Sequence, residues 1–361
     1  MNGIELEAVL KAAAADKASD VHFTCGEGSF QRGLGGLVRL AWQAPRDEEA
    51  FISLFEGLLK PSEIENWRLR HEIDAGFALP GQETGFRLRL NGYWANGRPA
   101  AAIRIVQNAI PRPEECGIPK ALQEICMRHD GLVLLTGPCG SGKSTTMASL
   151  VQWLAEQRPL HIVTLEDPIE YVYHSGKSLI HQRQIGKDAE SFAGGVRCAL
   201  REDIDLLCIG ELRDCETIAA ALSAAETGHL VLATLHAPDA SRSVERIIDL
   251  FPPATQAHAR TLLSLTLQAV SAQRLLFTGA DRVAAFELMT ASPAVRSAIR
   301  ENKTSQLKSL IQTGARDGMT TLEAALARLV ESGRLPLAVA AASAYNESEF
   351  YSLLRRENRV R

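Results

Sequence analysis

Hydrophobic residues follow two different rhythms along this chain. In the first 106 residues they alternate with polar ones. Phe86, Leu88 and Leu90 interleave with Arg87, Arg89 and Asn91, giving one apolar face and one that carries two arginines. Strands are expected at 20–24, 36–42, 72–79, 86–94 and 100–106, with helices over 4–15, 47–59 and 62–70. These elements make an α+β module over residues 1–106. From Ala121 the rhythm changes. Apolar runs at 132–136, 160–165, 204–209 and 229–235 are separated by helical stretches such as 142–157 and 214–226. That alternation predicts an α/β domain over 121–290, a parallel sheet covered by helices on both faces. Between the two modules, Pro111, Pro113 and Pro119 limit regular structure and mark 107–120 as a linker. Residues 291–361 read as a helical region, with helices at 293–302, 304–313, 320–332 and 346–356.

Composition narrows the function classes. A chain of 361 residues with 46% hydrophobic and 23% charged residues has the length for two or three domains and a sizeable core. Its net charge of −4 and 6% aromatic content give no broad nucleic-acid footprint, so no nucleic-acid partner is expected. Apolar runs stay well short of the ~18 residues of a membrane span. Glu5, Glu7 and Lys11 interrupt any signal-peptide core. Seven cysteines without a C-x-x-C pair argue against a zinc knuckle or a disulfide framework, and fit reduced thiols in a cytoplasmic protein.

The chemistry begins at 137–145. Gly137-Pro138-Cys139-Gly140-Ser141-Gly142-Lys143-Ser144-Thr145 is a complete G-x-x-x-x-G-K-[ST] loop after an apolar run and before a helix. Its glycines turn successive N–H groups onto a polyphosphate, and the helix N-terminus adds partial positive charge. Lys143 suits the β/γ-phosphates and Ser144 suits Mg²⁺, so ATP and Mg²⁺ are the expected ligands. The 160–165 run ends in an acidic cluster from Glu166 to Glu170, where Glu166 either holds the metal or its water shell or belongs to a solvated turn. The 204–209 run leads into Gly210-Glu211. Glycine stands where many P-loop ATPases place a metal-binding aspartate, leaving Glu211 to polarise water for attack on the γ-phosphate. His229 and His236 bracket the next strand and could sense the γ-phosphate or face a neighbouring subunit; no cysteine nearby supports a zinc site.

The segments GPCGSGKSTT, TLEDPIEY, ALREDIDLLCIGELRDCETI and AAETGHLVLATLH resemble, in order and spacing, the ATPase superfamily of type II secretion and type IV pili. Within it the likeness is to PilT-type retraction ATPases. SDVHFTCG, FRLRLN, RIIDLFP and LIQTGARDGMTTLE also match, so the resemblance spans about residues 5–335. It implies a PAS-like N-terminal domain joined to a RecA-like P-loop ATPase domain with a helical C-terminal extension, assembled as a homohexamer. It further implies that Glu166 lies in an acidic box, that Glu211 is the catalytic glutamate and that His229 lies in a histidine box. Arginines from the N-terminal strands (Arg87, Arg89, Arg98, Arg104) would reach a nucleotide across a subunit boundary, with Arg89 and Arg104 as the candidates. Residues 294–301, Ala-Val-Arg-Ser-Ala-Ile-Arg-Glu, are similar to a retraction-linked coupling helix, with Val295 and Ile299 on one face and Arg296 and Arg300 on another.

The expected function is therefore ATP-driven retraction of a type IV pilus, the basis of twitching motility. The protein would be cytoplasmic, held at the inner membrane through a pilus platform protein and, through it, the pilin fibre. An assembly or secretion ATPase and an accessory ATP-binding subunit are the alternatives. Three departures mark a divergent member: Glu27-Gly28-Ser29 replaces a proline pair, Cys139 replaces threonine, and Ser297-Ala298 replace Asn-Leu in the coupling helix.

Overall fold

A computed structural model describes residues 2–16, 18–33, 36–77, 79, 86–107, 109–279 and 281–357. The chain divides into two compact units: residues 1–109 with 170–172, and residues 110–169 with 173–361.

The first unit is a six-stranded antiparallel sheet with helices. Helix α1 (Asn2–Ala15) precedes β1 (Asp20–Thr24), β2 (Gly28–Gly33) and β3 (Gly36–Gln43). Helices α2 (Glu48–Ser53) and α3 (Pro61–Arg70) lead to β4 (Ile73–Phe77), β5 (Phe86–Ala95) and β6 (Arg98–Gln107). The sheet order is β3-β2-β1-β6-β5-β4. Alternation does what its period predicts: Leu88 and Leu90 are buried while Arg89 and Asn91 are not. The apolar face meets the helices, where Phe51, Phe55 and Trp67 pack edge to face or tilted with ring centroids 5.3–6.2 Å apart. Strand β2 is not evident in the sequence. Its Gly-Ser-Phe-Gln-Arg-Gly composition carries one apolar residue, and it is a strand because both neighbours pair with its backbone.

The second unit opens with α4 (Lys120–Cys126), β7 (Gly131–Thr136), α5 (Lys143–Gln157), β8 (His161–Glu166) and β9 (Leu179–Gln184). Then come α6 (Phe192–Ala199), β10 (Leu206–Ile209), α7 (Cys215–Glu226), β11 (Leu230–Leu235), α8 (Ala240–Asp249) and α9 (Gln256–Thr266). Strands β12 (Leu267–Phe277) and β13 (Arg282–Thr290) complete a seven-stranded sheet in the order β13-β12-β7-β11-β10-β8-β9. Six strands are parallel and β13 is antiparallel. Every residue of β7, β10 and β11 is buried, which is why their sequences are near-continuous apolar runs, broken by Thr136 and Thr234, whose hydroxyls donate to backbone carbonyls. The β9, β12 and β13 strands are not expected from sequence. Edge strand β9 is polar, and Leu267-Gln-Ala-Val-Ser-Ala-Gln continues the helix-forming composition of α9 until burial between β7 and β13 makes it a strand.

The C-terminal region is helical: α10 (Pro293–Arg300), α11 (Leu307–Thr313), α12 (Leu322–Glu331), α13 (Leu337–Ser343) and α14 (Glu347–Glu357). Leu322, Leu326, Leu335, Ala340 and Phe350 form a core with Val283 and Ala285 of β13, so this extension docks on the sheet rather than trailing from it. Among the described residues no helix is long and apolar enough to cross a membrane.

Candidate nucleotide site

The phosphate loop leaves the C-terminal end of β7, the strand flanked by β11 and β12, and feeds α5. Its shape depends on glycine. Gly137, Gly140 and Gly142 adopt φ of 148°, 75° and 89°. A Cβ at Gly137 would come within 2.5 Å of the Gln273 carbonyl and 2.6 Å of Ser141 Oγ. The loop is braced from β12, where Gln273 Nε2 donates to the Ser141 carbonyl at 2.7 Å. Pro138, Cys139, Gly140 and Ser144 are exposed and Thr145 is half-buried. Lys143 is buried, and its ammonium donates to the carbonyls of Gly137 (2.9 Å) and Pro138 (3.0 Å). The residues fit a nucleoside triphosphate: glycine-defined concavity, a helix N-terminus, a buried lysine, and a buried Ser141 hydroxyl without a partner among the described residues.

Three further strand ends converge here because the strands run parallel. His236 follows β11 and places Nδ1 3.5 Å from Lys143 Nζ and Nε2 3.5 Å from Glu211 Oε1. Burial, and next the Lys143 ammonium, push the imidazole below its ordinary value of 6.5, against the pull of Glu211. A neutral ring follows near pH 7, accepting at Nδ1 and presenting Nε2–H to the carboxylate. Glu211 follows β10. Its second oxygen accepts from Arg213 at 2.7 Å, and Arg213 also lies 3.7 Å from Asp167. Lys143, His236, Glu211, Arg213 and Asp167 thus form one polar line along the C-terminal edge of the sheet.

Glu166 ends β8 on the same edge, with Oε1 accepting from Thr164 Oγ1 (2.6 Å) and Gln182 Nε2 (3.1 Å). Its neighbour Gly210 explains the missing aspartate, since a Cβ there would lie 3.1 Å from the Leu165 carbonyl and 3.4 Å from Glu166 Cα.

The structure corrects one assignment. His229 is not brought to the phosphate loop. It precedes β11 at the sheet's N-terminal edge, where Nδ1 contacts the Ala224 carbonyl (3.1 Å) and Thr227 Oγ1 (3.2 Å), closing the end of α7. Parallel pairing of β11 with β7 puts His236, not His229, beside the loop. The coupling-helix reading also changes in detail. Val295 and Ile299 are buried and Arg300 is exposed, but Arg296 is half-buried, donating to the carbonyls of Ser264 (2.6 Å), Leu265 (2.7 Å) and Ala291 (3.0 Å). It ties α10 to the end of α9.

Arg89 and Arg104 are cross-strand neighbours in the first unit. Arg89 is half-buried; Arg104 is largely exposed and pairs with Asp20 at 3.0 Å. The Arg87 side chain lies outside the described residues. Arg213 and Gln273 are site residues that sequence reasoning misses. Arg213 follows Glu211 by two residues with nothing in the local pattern to give it a role, and Gln273 lies in β12, a strand the sequence does not predict.

The Type II/IV secretion system protein family model matches residues 4–316. The chain is 39% identical to the type IV pilus retraction ATPase PilT of Pseudomonas aeruginosa over 91% of its own length and 95% of the relative's. It is 46% identical to a twitching motility protein of Neisseria gonorrhoeae over 73% of its length and 70% of that protein's. A crystal structure of the pilus retraction motor PilT with bound ADP superposes with a TM-score of 0.85 and 38% identity, covering 94% of this chain and 97% of the other. The chain belongs to the Type II/IV secretion system protein family, as a PilT-like retraction ATPase homologue.

Proposed function

We propose that this chain hydrolyses ATP to power retraction of a type IV pilus. The observation that carries the reading is the Lys143–His236–Glu211 line at the phosphate loop, in a chain resembling PilT over nearly its whole length. Lys143 holds the β/γ-phosphates, and the loop N–H groups and the start of α5 neutralise their charge. Glu211, oriented by Arg213, is the base that accepts a proton from the attacking water. Neutral His236 stands between base and lysine, where it registers the γ-phosphate. Ser144 and Glu166 would hold Mg²⁺, which when bound supplies charge neutralisation at the phosphate oxygens.

The ring is a homohexamer in which Arg89 and Arg104 reach a neighbour's nucleotide, and 107–120 is the hinge that carries the cycle between domains. The protein works in the cytoplasm, against an inner-membrane platform protein and through it the pilin fibre. Glu211→Gln keeps the shape and removes the base. ATP turnover is expected to fall at least about 100-fold with nucleotide binding retained. Turnover near wild type would remove Glu211 from the mechanism. In cells, deletion of the gene should leave excess surface fibres; loss of fibres would mean assembly instead.

A further inference from the structure

The segment just beyond His236 is held from two sides. On the sheet side, Thr136 Oγ1 donates to the Ala237 carbonyl at 2.9 Å and accepts from Ala237 N at 3.1 Å. On the other side, Tyr345 Oη donates to the Pro238 carbonyl at 2.6 Å, a contact 107 residues away in sequence.

Tyr345 is itself fixed. Its backbone N–H and that of Asn346 both donate to Glu323 Oε1 at 3.0 Å, and Glu323 is buried at 2% exposure in α12. The Arg274 guanidinium lies 4.2 Å over the tyrosine ring and donates to the Ser343 carbonyl at 2.6 Å. Arg274 follows Gln273, the residue that braces the phosphate loop. The buried Glu323 carboxyl anchors the backbone at Tyr345 and the Arg274 cation lies over its ring, and in this arrangement the hydroxyl reaches the Pro238 carbonyl. Burial raises the Tyr345 hydroxyl above its ordinary value of 10, so it stays a donor across the working pH range.

We infer that Tyr345 is a positioning residue for His236, and that through it the C-terminal helical extension sets how fast the site hydrolyses ATP. The inference rests on His236 acting in hydrolysis as proposed above. Its physical basis is leverage. His236 makes two contacts of 3.5 Å, too long to fix an imidazole by themselves, so its place depends on the backbone that follows it. That backbone is held at Ala237 by a hydroxyl on the sheet and at Pro238 by one on the extension, before Glu287 of β13 accepts from Ala240 N. A partner that pulls on α12–α14 therefore moves the ring.

The test is a double-mutant cycle on the full-length protein, read as kcat and KM for ATP with thermal unfolding alongside. Tyr345→Phe keeps the ring beneath Arg274 and removes only the hydroxyl. It should lower kcat about fivefold, leave KM for ATP within about twofold, and lower the unfolding temperature by no more than about 4 °C, the scale of one lost hydrogen bond. In a His236→Gln background the same change should cost nothing further. Wild-type turnover in Tyr345→Phe, or losses that multiply in the double variant, would overturn the positioning role while leaving His236 in the site. If His236→Gln alone turns over like wild type, the reading of the site fails first and this inference fails with it.

Discussion

The two histidines of β11 bracket one strand of a parallel sheet and meet opposite surroundings. His236, at the C-terminal edge, faces a buried ammonium and a carboxylate across 3.5 Å contacts. His229, at the N-terminal edge, closes a helix end with 3.1–3.2 Å contacts to a carbonyl and a hydroxyl. The difference extends beyond these side chains. Along the first edge charged groups face one another in a line from Lys143 to Asp167. Along the second, Arg296 is satisfied by three backbone carbonyls. One edge leaves polar groups arranged for a ligand; the other uses them to finish the fold. The same residue type carries chemistry or structure according to which strand end it occupies.

The strongest way to break this comparison is to remove each histidine in turn. His236→Ala should cut ATP turnover about 100-fold, the scale of a positioned polar group in a phosphoryl-transfer site. His229→Ala should change turnover by less than about twofold and instead lower stability by about 0.5–1.5 kcal/mol, the worth of a helix-end hydrogen bond. Steady-state turnover beside a denaturation curve separates the two. Equal kinetic losses would return His229 to the site and collapse the distinction.

The sequence could have distinguished them, but only with the sheet in mind. The phosphate loop is legible because its glycines, lysine and serine are contiguous and sit between a strand and a helix. Glu211 and Glu166 are legible because they directly follow apolar runs. The histidines bracket their strand symmetrically, and only parallel pairing with β7 says which one is near the loop. Gln273 and Tyr345 act over 132 and 107 residues respectively, and no local pattern reports such a contact. Strands β12 and β13 were hidden for another reason. Leu267 to Gln273 continues the helix-forming composition of α9 and is a strand because it is buried between β7 and β13, while β13 is the sheet's edge and is held there by its pairing with β12. The six-stranded N-terminal sheet was mostly visible because its strands alternate, with β2 the exception.

A second contrast is thermodynamic. Glu287 on β13 accepts from Ala240 N at 2.8 Å, where α8 begins just beyond His236. Burial, with Asp239 and Glu323 adding repulsion and Lys308 partly offsetting it, raises its pKa from 4.5 to about 7. Between those values the folded chain holds a proton that the unfolded chain releases. Stability therefore falls as pH rises through this window, and the full penalty is present above it. Glu287→Gln should leave stability nearly unchanged near pH 4.5 and raise it by about 3 kcal/mol at pH 8, the cost of ionising a carboxyl whose pKa is held up from 4.5 to about 7. At the other edge, Arg296→Met should destabilise at both pH values, because three carbonyls lose their donor. Urea denaturation at the two pH values reads both variants. A Glu287→Gln gain that does not grow with pH would show that the buried carboxyl is not the source.

The finest probe of the two edges is a thiol. Cys139 is exposed inside the phosphate loop, and Cys198 is exposed near the end of α6, 3.3 Å from Glu202 and just before β10 begins on the far edge. Cys126 and Cys208 are buried, the first with its thiol pushed up to about 12, so neither competes for a thiolate-directed reagent. A bulky maleimide should attach at both exposed positions but reduce ATP turnover only through Cys139, by about tenfold, because bulk in the loop misplaces the phosphates. ATP should protect. Cys139→Thr should resist inhibition while still labelling at Cys198, and Cys198→Ser should remain sensitive. Intact-mass measurement of labelling beside turnover makes the assignment direct. Inhibition that persists in Cys139→Thr and disappears in Cys198→Ser would mean that the N-terminal edge also communicates with hydrolysis, and that the division drawn at β11 does not hold across the whole sheet.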